Sequence, residues 1–419
     1  VLRSGPPPDN VLLLTFDTTR YDHLNSNGYT VRTTSPRIDA LLAEGLALRN
    51  HRSCSAWTMA SFLCLLSGRD QLALGLWPDN NNKGAGVDPL PFDMPGLALR
   101  LKEEGFATGL VYANSFLSSK YGMGTGHDIE EKAARAPVVN DDAVEVFDEL
   151  LATGQRWFFH VHYNDPHTPY DADESWLDGT PACPLGPTDT KEAFLEVRGR
   201  WGDATADEQE ACLHEMRLRY DAGILEADAH LGELLDHLDS LGQLERTLVV
   251  FATDHGEEFF EHGEWEHGHS LYQGLNRATA GFVYPPRIAP AEHHGLTTHV
   301  DLRPTLLEVL DLPPEPDTTG TVVGSEPVDH VFGLVYRNEL TTQSVTTATD
   351  TLIYHWDGRL RQYDDAADPL QTTDLYDPDS AESQALWALL EPKVDELASR
   401  VTDGSVPVGR PRGPASRAR

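Results

Sequence analysis

Four stretches of this chain carry side chains able to hold a cation or move a proton, and each follows an apolar run of strand length. Asp17-Thr18-Thr19-Arg20 follows Val11–Phe16, and Asn114 follows Thr108–Ala113. Asp165-Pro166-His167 follows Trp157–Tyr163, a run that itself contains His162, and Thr253-Asp254-His255-Gly256 follows Thr247–Ala252. One Asp after a strand is ordinarily a helix N-cap. Four strand ends delivering acids, imidazoles and an amide point instead to a shared site at the carboxyl edge of a parallel sheet. Asp17, Asp254 and His255 offer two oxygens and a nitrogen, a donor set suited to a divalent zinc-like or transition-metal ion. Four histidines fall between His255 and His269. An acidic solvated loop would have the same look, but the adjacent Asp254 favours a site. His267 is the one expected to turn back towards the metal or the leaving group.

A nucleophile candidate lies in Ser55-Ala56-Trp57-Thr58-Met59-Ala60-Ser61-Phe62, where a loop runs into an apolar helix that stops at Ser67-Gly68. Thr58 falls at the helix start, where backbone N–H groups and the helix dipole stabilise an anion. Thr is also a good N-cap, and in isolation the capping role is the simpler one. The nearby metal donors shift that reading. An alcohol is a poor nucleophile at neutral pH unless activated. Metal binding lowers the pKa of water from about 15.7 to about 7, and a coordinated hydroxyl feels a similar pull.

The elements that must position these groups alternate in type. Short apolar strands (the four above and Gly281–Tyr284) are interleaved with helical patterns over Pro36–Glu44, Met59–Leu66, Met94–Glu104, Asp141–Leu151 and Leu302–Leu310. The longest helix is expected over Asp207–Leu241, where Leu213, Met216, Tyr220, Ile224, Ala227, Leu231, Leu234, Leu235 and Leu238 recur at helical spacing as a core stripe. The pattern predicts an α/β fold with a large, mostly parallel sheet flanked by helices. Asp171–Asp203, rich in Pro, Gly and Asp, reads as a surface excursion near the site. Pro313-Pro314-Glu315-Pro316 marks a break. Beyond it, strand-like His330–Tyr336 and Thr351–Trp356 and a helix over Ser383–Val401 suggest a small C-terminal α+β subdomain. The expected division is 1–325 catalytic α/β domain, 326–405 subdomain and 406–419 disordered tail.

Composition narrows the function. Among 419 residues, 67 acidic against 32 basic side chains give a net charge of −35, which excludes broad nucleic-acid binding. The basic residues are 26 Arg and 6 Lys; an acidic, Lys-poor surface suits a high-salt proteome, and a GC-rich genome explains it equally well. No apolar run approaches the roughly 18 residues of a membrane span. Cys54, Cys64, Cys183 and Cys212 form no C-x-x-C pair, so no disulfide framework is expected and Cys64 reads as core. No signal peptide is visible, which favours a cytoplasmic over a secreted location, although the chain begins at Val1 and a leader could precede it. Nothing in the sequence sets the oligomeric state.

Taken together, the motifs resemble the sulfatase branch of the alkaline phosphatase superfamily from Asn10 to about Leu397. Asp17-Thr18-Thr19-Arg20-Tyr21-Asp22 resembles the first metal motif, and Thr34-Ser35-Pro36-Arg37-Ile38-Asp39-Ala40-Leu41 is similar to the usual TPNIDALA segment. Tyr220-Asp221-Ala222-Gly223-Ile224 through Asp228 resembles the long helix that leads to SDHGE, here Thr253–Glu257. Asp301-Leu302-Arg303-Pro304-Thr305-Leu306-Leu307 is similar to DLAPTLL, and Asp374-Leu375-Tyr376-Asp377-Pro378 to the C-terminal LYDL…DP segment. The resemblance implies an alkaline-phosphatase-like sandwich and a metal set of Asp17, Thr58, Asp254 and His255.

The chain departs from that family at the nucleophile. Sulfatases carry a formylglycine-forming Cys ten residues before a Gly; counting back from Gly68 gives Thr58, and the motif's Arg position holds Phe62. Cys54 mimics the motif's start but lacks the Arg and lies four residues out of register. Thr at that place is similar to phosphodiesterase, phosphonate hydrolase and phosphoethanolamine transferase relatives. The second acidic ligand of many sulfatases falls on Thr18, so a Ca²⁺-type site looks incomplete and Zn or Mn is expected rather than Ca. Asn114 falls where sulfatases carry Lys, His162 and His167 match the substrate-binding H…PH-x-P segment, and His267 takes the place of a catalytic Lys, with a second ion near it as an option.

The expected chemistry is hydrolysis of a small anionic phosphate ester (diester, phosphonate or monoester) through Thr58 and a phosphothreonine. Asn114 would stabilise charge, His267 or His167 would protonate the leaving group, and Arg20 would position Asp17 or the substrate. A sulfuric ester hydrolase on the same scaffold is the alternative, since both esters share a tetrahedral oxyanion. A transferase would need an acceptor and ordinarily a membrane anchor. A non-catalytic metal- or anion-binding protein stays open as a reading of another class.

Overall fold

The structure, a computed structural model, describes residues 3–75, 96–177, 179–337 and 340–400. Its strands are β1 (Asn10–Phe16), β2 (Leu46–Arg52), β3 (Ala107–Tyr112), β4 (Ile129–Lys132), β5 (Trp157–Tyr163), β6 (Thr247–Thr253), β7 (Glu258–Phe259), β8 (Trp265–Glu266), β9 (Arg277–Val283), β10 (Ala291–Thr298), β11 (His330–Arg337), β12 (Leu340–Thr347), β13 (Asp350–Tyr354) and β14 (Leu360–Asp364). Eight of them form one sheet in the order β10-β2-β9-β6-β1-β5-β3-β4. Only β9 runs against its neighbours, so the sheet is mostly parallel, as expected.

The central strands β1, β5 and β6 are buried along their whole length, as strands covered on both faces must be. Alternate residues of β1 enter opposite layers. Val11 and Leu13 pack with the helices Thr58–Ser67, Leu97–Glu103 and Leu302–Val309. Leu12, Leu14 and Phe16 pack with Pro36–Ala43, Ala136–Ala152 and the long helix Ala206–Ser240. That long helix starts at a capping box between Thr205 and Glu208. The helix expected from Met94 is seen from Leu97 on; residues 94–95, like Val401 and the expected tail 406–419, lie outside the described residues.

The 171–203 excursion is more ordered than its composition suggested. It contains the helix Lys191–Arg200, and Cys183, Phe194, Val197 and Trp201 build a separate apolar layer with Cys212, Met216, Tyr220 and Phe259. Contrary to the sequence reading, all four cysteines are paired, Cys54 with Cys64 and Cys183 with Cys212. Spacing alone carries no pairing information; the fold brings each pair together inside an apolar cluster. Cys183–Cys212 closes a span of 29 residues and ties the excursion to the long helix. The double change Cys183→Ala, Cys212→Ala is expected to lower unfolding stability by about 3 kcal/mol in denaturant melts. An unchanged midpoint would mean that the apolar layer holds the excursion unaided.

A second, antiparallel sheet of β11-β12-β13-β14 carries the chain's C-terminal part. One face (Val345, Leu352, Tyr354) packs on the helix Ala381–Arg400. The other (Val335, Ile353, Tyr363) packs on Ala56, Leu271 and Leu275, next to the loop that leads to Thr58. No helix among the described residues is long and apolar enough to cross a membrane.

Candidate active site

Strand register creates the site. Phe16 lies opposite Thr253 in the parallel β1–β6 pair, so the next residues, Asp17 and Asp254, emerge side by side. The ladder continues one step past the strand ends, since Asp254 N–H donates to the Phe16 carbonyl and Asp17 N–H to the Tyr163 carbonyl. Asp17, Asp254 and His255 each present a ligand atom within 4.8 Å of the others, and all three are fully buried.

The surroundings of each donor leave one atom turned to this cluster. Asp254 Oδ1 accepts the N–H groups of Thr18 and His255, while its Oδ2 has no hydrogen-bond partner. Asp17 Oδ2 accepts from Asn114 Nδ2 (2.7 Å) and His162 Nε2 (3.2 Å), and its Oδ1 likewise has none. His255 Nδ1 donates to the Gly256 carbonyl at 2.9 Å, which leaves Nε2 with its lone pair on the cluster side. Gly256 is needed here, because an added Cβ would sit 1.9 Å from the Gly274 carbonyl oxygen.

Two buried carboxylates this close cannot both stay ionised without a cation. Burial and the neighbouring Asp17 raise Asp254 well above the carboxylate range. Burial opposes ionisation of Asp17 too, but His162, His167 and His255 outweigh it and hold Asp17 far below. Burial, with His267 beside it, lowers the His255 imidazole to about 3, so it is a neutral ligand at any working pH. Orphaned buried oxygens, a neutral imidazole and unbalanced carboxylates fit a bound divalent cation.

Thr58 opens the helix Thr58–Ser67 and stands at this cluster. Its Oγ1 is 3.2 Å from Asn114 Nδ2, 3.5 Å from Asp17 Oδ2 and 3.5 Å from His255 Nε2. No side chain caps this helix, and the residue at the cap position is Trp57. Thr58 is therefore the first helical residue rather than its cap. Cys54 is held in a disulfide with Cys64 and has no free thiol. Asn114 is itself oriented by its own Oδ1, which accepts Phe116 N–H.

The histidines divide. His267 and His167 face the cluster from one side: the His267 ring lies 4.5 Å from that of His255 and 4.9 Å from that of His167. His267 Nδ1 pairs with Glu257 Oε1 at 3.1 Å. Burial works against a charged His167, but Asp17 and Glu257 prevail and raise it above its ordinary value. His162 is elsewhere. It is fully buried behind Asp17, with Nδ1 2.9 Å from Thr15 Oγ1, and it touches Asp17 rather than open space. Arg20 is also occupied: its guanidinium pairs with Asp22 and Glu261 and reaches the Glu257 carbonyl, bracing the loop as a structural cation.

Several contributors were not singled out from the sequence. Glu257 is buried under His267 and His167, and desolvation raises its carboxyl to about 8. Thr15 Oγ1 bridges His160 Nε2 (2.8 Å) to His162, and the signal was there: two histidines at alternate positions of an otherwise apolar buried strand. His299 bonds Ser61 Oγ, which donates to the Asp254 carbonyl. Tyr220 OH donates to the Thr18 carbonyl and accepts Arg20 N–H, pinning the loop that carries Asp17.

A family model described as Sulfatase matches residues 9–312. The chain is 37% identical to arylsulfatase K of Xenopus laevis over 108 residues, 26% of this chain and 20% of that protein. It is 25% identical to arylsulfatase A of Bos taurus over 336 residues, 73% of this chain and 64% of that protein. These matches span from a fifth to under two thirds of the relatives' lengths. Among solved structures, the phosphonate monoester hydrolase of Agrobacterium radiobacter superposes with a TM-score of 0.70 at 20% identity, over 94% of this chain and 96% of that one. A protein solved with its substrate D-glucosamine-2-N,6-O-disulfate gives 0.75 at 17% identity, over 96% and 99%.

Proposed function

The chain belongs to the sulfatase family, and we propose that it is a metal-dependent ester hydrolase that cleaves phosphate esters with Thr58 as nucleophile. One observation carries this reading: the Thr58 hydroxyl stands 3.2–3.5 Å from Asn114, Asp17 and His255, and the chain's cysteines are all paired. Asp17, Asp254, His255 and Thr58 would hold a divalent cation, Zn or Mn in preference to Ca, since Thr18 supplies no further carboxylate. Such a cation supplies Lewis-acid polarisation of the ester and acidification of the Thr58 hydroxyl.

The remaining roles belong to side chains. Asn114 donates its amide towards Thr58 and the oxygens of the group being transferred, where negative charge grows. The first-turn N–H groups of the Thr58–Ser67 helix add partial positive charge at the same place. Thr58 Oγ loses its proton to solvent and attacks phosphorus as the bond from phosphorus to the alcohol oxygen breaks, and His267, with His167 beside it, delivers the departing oxygen's proton. Water then attacks phosphorus, giving its proton back to His267, and the bond to Thr58 Oγ breaks with that oxygen regaining a proton from solvent. His162 and Thr15 do not touch the ester; they hold the Asp17 carboxylate in one orientation.

The test is a panel of 4-nitrophenyl phosphate, bis(4-nitrophenyl) phosphate, a phenylphosphonate ester and 4-nitrophenyl sulfate, run with chelator and with added Zn, Mn or Ca. Preference for a phosphorus ester, lost on chelation, supports the proposal. Preference for the sulfate establishes the sulfuric ester reading, which the solved structure of a 2-O GAG sulfatase on this fold makes the natural second choice. No turnover with any ester, together with no bound metal, would leave a binding protein.

Glu257 makes a pH prediction. Its carboxyl is raised to about 8 in the fold, against an ordinary value of 4.5. Between those values the unfolded chain has lost the proton while the folded one keeps it, so stability falls as pH rises. Metal-free Glu257→Gln is expected to lose less stability than its parent between about pH 5 and 8. Parallel stability curves from denaturant melts would refute the assignment.

A further inference from the structure

Two strands away from Asp254, the same edge of the sheet carries a cluster of arginines. β9 is antiparallel to both β6 and β2, so β2 runs with β1 and ends, at Arg52, on the edge where Asp17 and Asp254 emerge. Arg52 lies directly opposite Arg277, the first residue of β9. Like charges directly opposed on neighbouring strands destabilise a sheet unless something offsets them. In a chain of net charge −35, such a pair is not a by-product of composition.

Local carboxylates offset it only in part. Arg52 reaches Asp365 at 3.1 Å, but that carboxylate also accepts Thr351 and Gln371. Arg49, three residues earlier in the same strand, pairs with the half-exposed Glu292 at the rim. Arg277 has no carboxylate partner among the described residues. It donates to the Arg49 carbonyl at 3.1 Å and lies 3.8 Å above the Tyr21 ring, and its Nε is buried with no partner at all. These side chains line one open cleft of about 470 Å³, bordered also by Asp365, Ala366 and Pro369 of the segment after β14. Two of its lining residues belong to segments that also carry site residues: Tyr21 is four residues after Asp17, and Arg52 is six residues before Thr58.

We propose that this cleft is a second oxyanion subsite, taking a carboxylate, sulfate or phosphate group that the ester substrate carries away from the scissile bond. It deepens the hydrolase reading above and rests on it for the source of the anion. Planar guanidinium groups on two facing strands suit paired hydrogen bonds to such a group. The substrate is then an ester with at least two anionic groups, too polar to be held by apolar contact.

The test separates the subsite from the chemistry. Inorganic sulfate is titrated calorimetrically into metal-free full-length protein carrying Thr58→Ala, alone and with Arg277→Gln or Arg277→Lys. Arg277→Gln is expected to weaken sulfate binding by about tenfold and Arg277→Lys by less, at an unchanged melting temperature. On the otherwise native enzyme, Arg277→Gln should raise KM about tenfold for an aryl ester bearing an added carboxylate, and change kcat/KM for the plain 4-nitrophenyl ester less than twofold. Absence of sulfate binding, or binding indifferent to Arg277→Gln, overturns the subsite. Sulfate binding that depends on Arg277, with KM equal for the two esters, overturns the assignment to the substrate. Arg277-dependent binding in a protein that hydrolyses no ester upholds the subsite and removes only the hydrolase reading.

Discussion

Thr58→Ala is expected to lower kcat by about 10⁴-fold or more while the protein keeps its fold, because it removes the proposed attacking atom itself. The hydroxyl contributes little to packing. Its contacts to Asp17 and His255 are long, at 3.5 Å, and it caps no helix. Its methyl is small, and the surrounding helix is held by apolar residues such as Met59, Phe62 and Leu63. Ala is a better helix former than Thr, so the melting temperature should not fall. Thr58→Ser, which keeps the oxygen, should retain much of the activity. Near-native turnover by Thr58→Ala, in steady-state assays on the preferred ester, would remove Thr58 from the mechanism.

Asp254→Asn is expected to act in opposite directions with and without metal. In the metal-free protein, the Asp254 carboxyl is buried beside Asp17 and raised well above its ordinary value, so it opposes folding as pH rises above the carboxylate range. Asn removes that cost while its oxygen can still accept the Thr18 and His255 N–H groups. Metal-free Asp254→Asn should therefore melt above the metal-free parent at neutral pH. With metal the order reverses. A ligand at a thousandfold excess over its Kd stabilises by about 4 kcal/mol, and the variant forfeits most of that. Its metal affinity should fall by more than the roughly 10–100-fold typical of changes behind the ligands. Thermal melts of parent and variant, each with chelator and with metal, read all four states. A variant that gains as much from metal as the parent would place the cation elsewhere.

The parts of this molecule that announced themselves are those where burial is total. β1, β5 and β6 are continuous apolar runs because helices cover both faces, and the polar residue that follows each run can only be at the sheet edge. Asp17, Asp254 and His255 were legible for that reason, and Thr58 by its count from Gly68. β2 and β10 were not. Leu46–Arg52 contains Arg49, Asn50, His51 and Arg52, and Ala291–Thr298 is half exposed, so neither shows the apolar run of a central strand. The antiparallel strand was recognised only at its apolar end, since Arg277 and Thr279 open it. His162 was expected at the substrate because its type suits that role. Strand register, which a sequence does not display, turns it behind Asp17. The same holds for His299 and Glu257, whose meaning lies in partners far away in the chain.

The bond between Cys54 and Cys64 makes the proposed nucleophile part of a small covalent ring. Trypsin cuts after Arg52 and Arg69 and finds no site between them, so the fragment from Ser53 to Arg69 leaves the protein as a closed loop with Thr58 inside it. A phosphoryl group caught on Thr58 would be carried on that loop, two hydrogens lighter than the linear peptide, and a search for the open form alone would miss it. Thiol reagents open the ring and would also compete for a zinc-like ion at the proposed metal site. A reducing buffer is therefore not a neutral choice for this protein.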